Sequence, residues 1–286
     1  MTVSDRQKTI LITGASGGIG TACTVALAQA GFRVFAGVRQ QKHGELLQQL
    51  DPKSIVPLVI DVTDLSTIES ARDEIEKAIG DRGLYGLVNN AGILVSAPIE
   101  CLSLEEFRHQ LEVNVIGQVA VIQAFLPAVR TAKGRIVNMS SVSGFVAFPF
   151  TGAYCASKFA LEAITDSLRM ELHPWGISVV AIEPPFVKTK IWEKAVANNN
   201  TVQSPLSKNC QTLYGKNLER KYSIALQEVE KAMSPDRVAK TLIRALCDRV
   251  PKTRYLVGQQ AFMSAIASWF PDRLRDRFIR QYFHLN

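Results

Sequence analysis

Lys8-Thr9-Ile10-Leu11-Ile12-Thr13-Gly14-Ala15-Ser16-Gly17-Gly18-Ile19-Gly20 is the stretch on which the reading of this 286-residue chain turns. Lys8 to Thr13 is a short β-branched run that stops at a glycine, the pattern of a buried parallel strand. Beyond the glycines an apolar helical stretch runs from Cys23 to Ala30 and closes at Gly31. Strand, glycine loop and helix in that order make a phosphate cradle, because the N–H groups of the helix start point at an anion and the helix dipole favours negative charge there. The spacing is Gly-x-x-x-Gly-x-Gly rather than the commoner Gly-x-Gly-x-x-Gly. Read alone, the loop also fits a tight turn with no ligand.

The same alternation continues outward. Strands are expected at Arg33–Val38, Ile55–Ile60, Leu84–Val88, Arg135–Met139, Ser178–Ile182 and Arg254–Val257. Helices are expected at Leu65–Ile79, around Leu104–Leu111, from about Asn114 to Val129, and from Phe159 to Leu172. Strands and helices alternating at this spacing predict an α/β fold, a doubly wound, Rossmann-like parallel sheet. Ligands of such sheets bind beyond the carboxyl ends of the strands. That is where Asp61-Val62, Asn89-Asn90-Ala91-Gly92, Ser140-Ser141 and Glu183-Pro184-Pro185 all fall.

The end of the second strand bears on the choice of nucleotide. An acidic residue there binds the ribose hydroxyls of NAD, whereas an arginine accommodates the 2′-phosphate of NADP. This chain carries Arg39 and no carboxylate between Gly31 and Gly44, and Ser16 could add a hydrogen bond to that phosphate. NADP(H) is therefore expected over NAD(H), unless Arg39 is a solvated surface charge. Tyr154 and Lys158 stand four apart, so in a helix they share one face. An ammonium beside a phenol favours the phenolate and brings its pKa down from about 10 toward a range useful for acid–base work. Tyr-x-x-x-Lys alone is also an ordinary surface pair.

Nearly half of the residues are hydrophobic, enough for a packed core. The five cysteines are odd in number, widely spaced and free of Cys-x-x-Cys, which predicts neither a disulfide framework nor a zinc site and fits a reducing compartment. No metal site is expected. Met1 to Lys8 is polar, with no signal peptide, and the longest apolar stretch, Val113 to Val129, is broken by Asn114, Gln118, Gln123 and Pro127. These features predict a cytoplasmic protein. Residues 1–190 hold 17 Lys+Arg against 18 Asp+Glu, and residues 191–286 hold 16 against 8, so the whole net charge of +7 comes from the last third.

Taken together, Thr13-Gly14-x-x-x-Gly18-Ile19-Gly20, Asp61, Asn89-Asn90-Ala91-Gly92, Asn114, Ser141, Tyr154-x-x-x-Lys158 and Pro184 resemble the short-chain dehydrogenase/reductase family, in its order and over residues 8–190. The resemblance implies a catalytic group of Asn114, Ser141, Tyr154 and Lys158. Tyr154 would exchange the proton and Ser141 would hold the substrate oxygen. Lys158 would bind the nicotinamide ribose, and Asn114 would hold a water in the proton relay. It implies a cofactor site of Gly14, Ser16, Gly18, Ile19, Gly20, Arg39, Asp61, Val62, Asn90, Ala91, Gly92, Tyr154, Lys158, Pro184, Val187 and Thr189. Pro185 departs from the family's usual Pro-Gly, which puts the shape of the nicotinamide floor in question. Tyr154–Glu162 and Thr253-Arg254-Tyr255 look like the subgroup acting on steroids, retinoids and other lipophilic alcohols.

One domain over 1–286 is expected, a core of about 8–190 followed by lid and C-terminal helices over about 191–286. Its expected activity is hydride transfer between NADP(H) and a carbonyl or alcohol, on a small-molecule substrate, as a homodimer or homotetramer. Two other enzyme readings stay open, a 3-oxoacyl-thioester reductase and a general carbonyl reductase. From another class comes a non-catalytic NADP sensor, which has no need of a reactive tyrosine. No nucleic-acid motif accompanies the basic tail. Phe262, Ile266, Phe270, Leu274 and Phe278 lie along one helical stripe of that tail, interrupted near Pro271 and interspersed with Arg273, Arg275, Arg277 and Arg280. The stripe either packs on the domain or makes a peripheral membrane contact at the bilayer surface.

Overall fold

The computed structural model of the chain describes residues 7–189 and 207–285. Seven parallel strands form one sheet in the order β3-β2-β1-β4-β5-β6-β7. They are Thr9–Ile12 (β1), Arg33–Val38 (β2), Ile55–Val59 (β3), Gly86–Asn89 (β4), Arg135–Met139 (β5), Ser178–Glu183 (β6) and Arg254–Leu256 (β7). Strand order reverses between β1 and β4, which opens the crevice that a doubly wound sheet offers to ligands.

Successive side chains of a strand face opposite sides, and β1 shows what that does. Ile10 and Ile12 enter one buried cluster with Leu27 of Gly18–Gln29 (α1) and Leu242 of Pro235–Cys247. Leu11 enters the other, with Ile75 of Leu65–Ile79 and Phe125 of Gly117–Thr131. Both faces are thus covered, and the expected α/β architecture is found.

The remaining helices, in chain order, are Gln41–Gln48 (α2), Leu65–Ile79 (α3), Leu104–Leu111 (α4), Gly117–Thr131 (α5), Gly152–Glu171 (α6), Lys208–Lys231 (α7), Pro235–Cys247 (α8), Gly258–Ala267 (α9) and Asp272–Tyr282 (α10). Several differ from expectation. Helix α2 lacks a clear apolar repeat and was not foreseen. Helix α6 starts at Gly152, so Tyr154 and Lys158 lie inside the helix that continues through the expected Phe159–Leu172 stretch. The expected helix from about Asn114 to Val129 is found as α5, but its first residues belong to a π-helical turn, Glu112–Ile116, that joins α4 to α5. The resulting run Leu104–Thr131 is long and apolar enough to cross a membrane by composition, although half of its most apolar window is buried in the protein. Residues 191–206 of the expected lid lie outside the described residues.

Two corrections concern the last third. Cys101 and Cys210 form a disulfide that ties the turn before α4 to the first residues of α7. The cysteine-based argument for a reducing compartment falls with it; a pairing across 109 positions leaves no mark in sequence spacing. The tail is two helices, broken at Pro271; Phe270 and Phe278 of its stripe border a small cavity with Val146 and Phe148, while much of the stripe faces solvent. Phe262, Ile266, Trp269, Leu274 and Phe278 are all exposed, Trp269 at 89%.

Candidate active site

The glycine loop leaves β1 and is shaped by two close approaches. Gly14 has φ +63°, and a Cβ there would lie 2.7 Å from the Ala91 Cα. At Gly20 a Cβ would meet the Gly14 carbonyl oxygen at 2.1 Å. The loop ends of β1 and β4 are then laced together. Thr13 Oγ1 accepts from the N–H groups of Asn90 and Ala91, both at 3.1 Å, and Asn90 Nδ2 donates to the carbonyls of Thr13 and Gly14. Asn90 is thus a clamp as much as a wall.

The start of α1 is open. No side chain caps it and its first turn has no acidic residue, while Ser16, Gly17 and Gly18 are exposed. Unopposed N–H groups at a helix start fit a pyrophosphate, so the residues present suit a dinucleotide. Arg39 is exposed just past β2. Asp61 lies past β3, where its Oδ1 accepts from the N–H and hydroxyl of Thr63, and Val62 is buried.

A cleft opens at the carboxyl ends of β1, β4, β5 and β6. It gathers Ile19, Asn90, Gly92, Ser141, Tyr154, Lys158, Pro184, Val187 and Thr189 from the expected set. It also takes Ile93, Leu94 and Met139, which no motif singled out, together with Ser140 and Pro185. Gly14, Ser16, Gly18, Gly20, Arg39, Asp61, Val62, Ala91 and Asn114 stand outside its lining. No positive φ occurs at Pro185, so the backbone there makes no demand for glycine.

Asn114 sits in the π-helical turn, completely buried. Its Oδ1 accepts from Ile93 N at 2.9 Å, and its Nδ2 donates to Ile93 O and to Ser157 Oγ, both at 3.0 Å. Ser157 donates in turn to the Tyr154 carbonyl at 2.7 Å. Gln110 braces the same loop, accepting from Val95 N and donating to Ile93 O. Gln110 belongs to no motif used above and Ser157 enters only inside the Tyr154–Glu162 stretch; the i+3 step from Tyr154 to Ser157 was the only hint of its role.

Lys158 Nζ donates to Met139 O at 2.8 Å and lies 5.7 Å from the centre of the Tyr154 ring. Burial pushes the lysine down to about 8, against the opposing pull of the Glu162 carboxylate. The same burial pushes the Tyr154 phenol up to about 12, and its contact with the Ser141 hydroxyl only partly offsets this. This corrects the expectation that the lysine would bring the phenol down. Desolvation outweighs any pull from the ammonium, which stands 5.7 Å from the ring centre.

The family model for short chain dehydrogenases matches residues 8–200, about two thirds of the sequence. The chain belongs to that family. It is 36% identical over 280 residues to retinol dehydrogenase 16 of Mus musculus, covering 96% of this chain and 88% of that one. It is also 36% identical over 274 residues to an NADPH-dependent 3-dehydrocapnine reductase of Ornithobacterium rhinotracheale, covering 93% and 94%. A short chain dehydrogenase from Burkholderia cenocepacia J2315, solved in complex with NADP, superposes with a TM-score of 0.72 at 25% identity, covering 96% and 98%. Within the family the chain falls in the steroid- and retinol-dehydrogenase-like subgroup. It is an oxidoreductase that acts on CH–OH groups with a nicotinamide cofactor.

Proposed function

We propose that this short-chain dehydrogenase is an NADP(H)-dependent enzyme interconverting a lipophilic, retinoid- or steroid-sized ketone or aldehyde and its alcohol. The observation that carries the reading is the convergence of Ser141, Tyr154 and Lys158 on one cleft, with Asn114 tied to the Tyr154 carbonyl through Ser157. The bound nicotinamide supplies or accepts the hydride. Tyr154 gives its phenolic proton to the carbonyl oxygen in reduction and takes it back in oxidation. Ser141 donates to the same oxygen and stabilises its developing charge. Lys158 would hold the nicotinamide ribose, and Asn114 would order the proton path behind the tyrosine. Burial keeps the phenol protonated well above neutrality, and the protonated phenol is the form that donates.

Arg39 and Ser16 support NADP(H) over NAD(H), and the solved relative with bound NADP is consistent with it. The exposed aromatic surface of α9 and α10 supports a peripheral contact with an anionic bilayer, from which a water-poor substrate would be taken.

Tyr154→Phe tests the central assignment. General acid–base groups contribute roughly 10²–10⁴-fold, so the variant should lose at least about 100-fold in kcat on a retinoid or steroid carbonyl while still binding NADPH. Retention of most of the turnover would overturn the assignment.

A further inference from the structure

Two fragments that set the subgroup resemblance meet in space. Glu162 lies in α6 one turn beyond Lys158, and Arg254 opens β7. Arg254 Nε lies 3.1 Å from Glu162 Oε2 and 3.3 Å from Glu183 Oε1, and its Nη2 lies 2.8 Å from Asp166 Oδ2. Asp166 is also paired with Arg169. Three carboxyl groups therefore share two guanidinium groups directly behind the tyrosine helix.

The third carboxyl has to find its balance elsewhere. Glu183 is 1% exposed and ends the strand that runs into Pro184-Pro185. Its Oε1 and the Oε1 of Glu162 are both buried without a hydrogen-bond partner. Burial first, and Glu162 second, push Glu183 up to about 8, so this carboxyl holds a proton at neutral pH. The cation nearest to Glu162 along its helix is Lys158. Among the described residues, the ammonium also meets the Met139 carbonyl and the Tyr154 ring, both neutral. A buried ammonium with only neutral neighbours gives up its proton, and the Glu162 carboxylate acts against that loss.

We propose that Glu162, held by Arg254 and backed by Glu183, is the positioning residue that keeps the Lys158 ammonium charged beside the Tyr154 phenol. The role rests on the function proposed above for Lys158. The charge itself is a separate, measurable property. Arg254 fixes Glu162 from a different strand, so the lysine's charge depends on the docking of the chain's last strand onto the sheet.

The test follows the Lys158 side chain directly in the full-length protein labelled with ¹³C-lysine, its signal assigned by its loss in Lys158→Arg. In Glu162→Gln the titration midpoint of Lys158 should move down by about 1 pH unit, and in Glu162→Asp, which keeps the charge, it should return most of the way. An unmoved midpoint in Glu162→Gln would overturn the proposal. If that variant does not melt cooperatively, the wild type decides. Its Lys158 signal should show a second inflection where Glu183 loses its proton, and a single isolated transition would count against the proposal. Failure of Tyr154→Phe to lose activity would sink the catalytic reading without touching this titration, so the two outcomes are separable.

Discussion

Lys221 is the buried charge that the catalytic reading does not use, and replacing it should make the protein more stable. It lies on α7, 5% exposed, with Nζ 2.6 Å from Ser96 Oγ and 3.2 Å from Phe150 O. Among the described residues no carboxylate comes within ion-pair distance of it. The rings of Phe150 and Tyr222, 5.8 and 5.9 Å away, and the Cys155 thiol are what surround the ammonium. Burial pushes its pKa from 10.5 to about 7. Each pH unit of displacement is about 1.4 kcal/mol, so folding with this group charged costs about 5 kcal/mol below pH 7.

Lys221→Met removes that cost and gives up two hydrogen bonds of about 1 kcal/mol each. Ser96 Oγ keeps its bond to Phe150 O at 3.0 Å, so no buried acceptor is stranded. The net expectation is a gain of about 2–3 kcal/mol at pH 6, or roughly 5 °C in Tm. The unfolded chain binds the extra proton between about pH 7 and 10.5, so wild-type stability rises with pH across that window. The variant lacks this rise, so its advantage should shrink with pH and vanish near about pH 9, where the remaining charging cost equals the two lost hydrogen bonds. Thermal and urea melts of both proteins from pH 6 to 10 make the measurement. A variant less stable than wild type at pH 6, or a gap that stays constant with pH, would refute the reasoning.

Other expectations follow from the same structure. Arg39→Ala should weaken NADPH binding roughly 10- to 100-fold and leave NADH binding nearly unchanged, read by fluorescence titration; equal losses would make Arg39 a surface charge only. Thiol titration of the unfolded protein should find three free cysteines before reduction, Cys23, Cys155 and Cys247, and all five after it. Five before reduction would remove the Cys101–Cys210 bond. Co-sedimentation with anionic liposomes at low salt should retain the wild type, and Trp269→Ser with Phe262→Ser should release it. If the wild type stays in the supernatant, the membrane contact is lost.

The sheet was legible because its signals are local. β2 and β5 begin and end where the apolar runs do, and α3 coincides with its expected span, Leu65–Ile79. Asp64 caps that helix by accepting from Ser66 N, a cue carried within three residues. Glu112–Ile116 was not legible. An α-helix and a π-helical turn share the same apolar residues and differ by one inserted position, which no periodicity argument can see. That insertion turns Asn114 inward, where it can reach both Ile93 and Ser157.

The site divides along the same line. Residues whose backbone position decides their role, such as Gly14 or Tyr154 at the end of a parallel strand or the start of its helix, could be placed from pattern. What the pattern could not supply was the dielectric around them. Tyr-x-x-x-Lys suggested a cation lowering a phenol, yet Lys158 turns its ammonium to the Met139 carbonyl and the phenol rises with burial. Burial rather than the lysine sets the proton affinity of Tyr154, while Glu162 and Arg254, the groups behind Lys158, stand 92 positions apart and meet only where β7 docks on the sheet. A motif names the reacting groups; their charges belong to the packing.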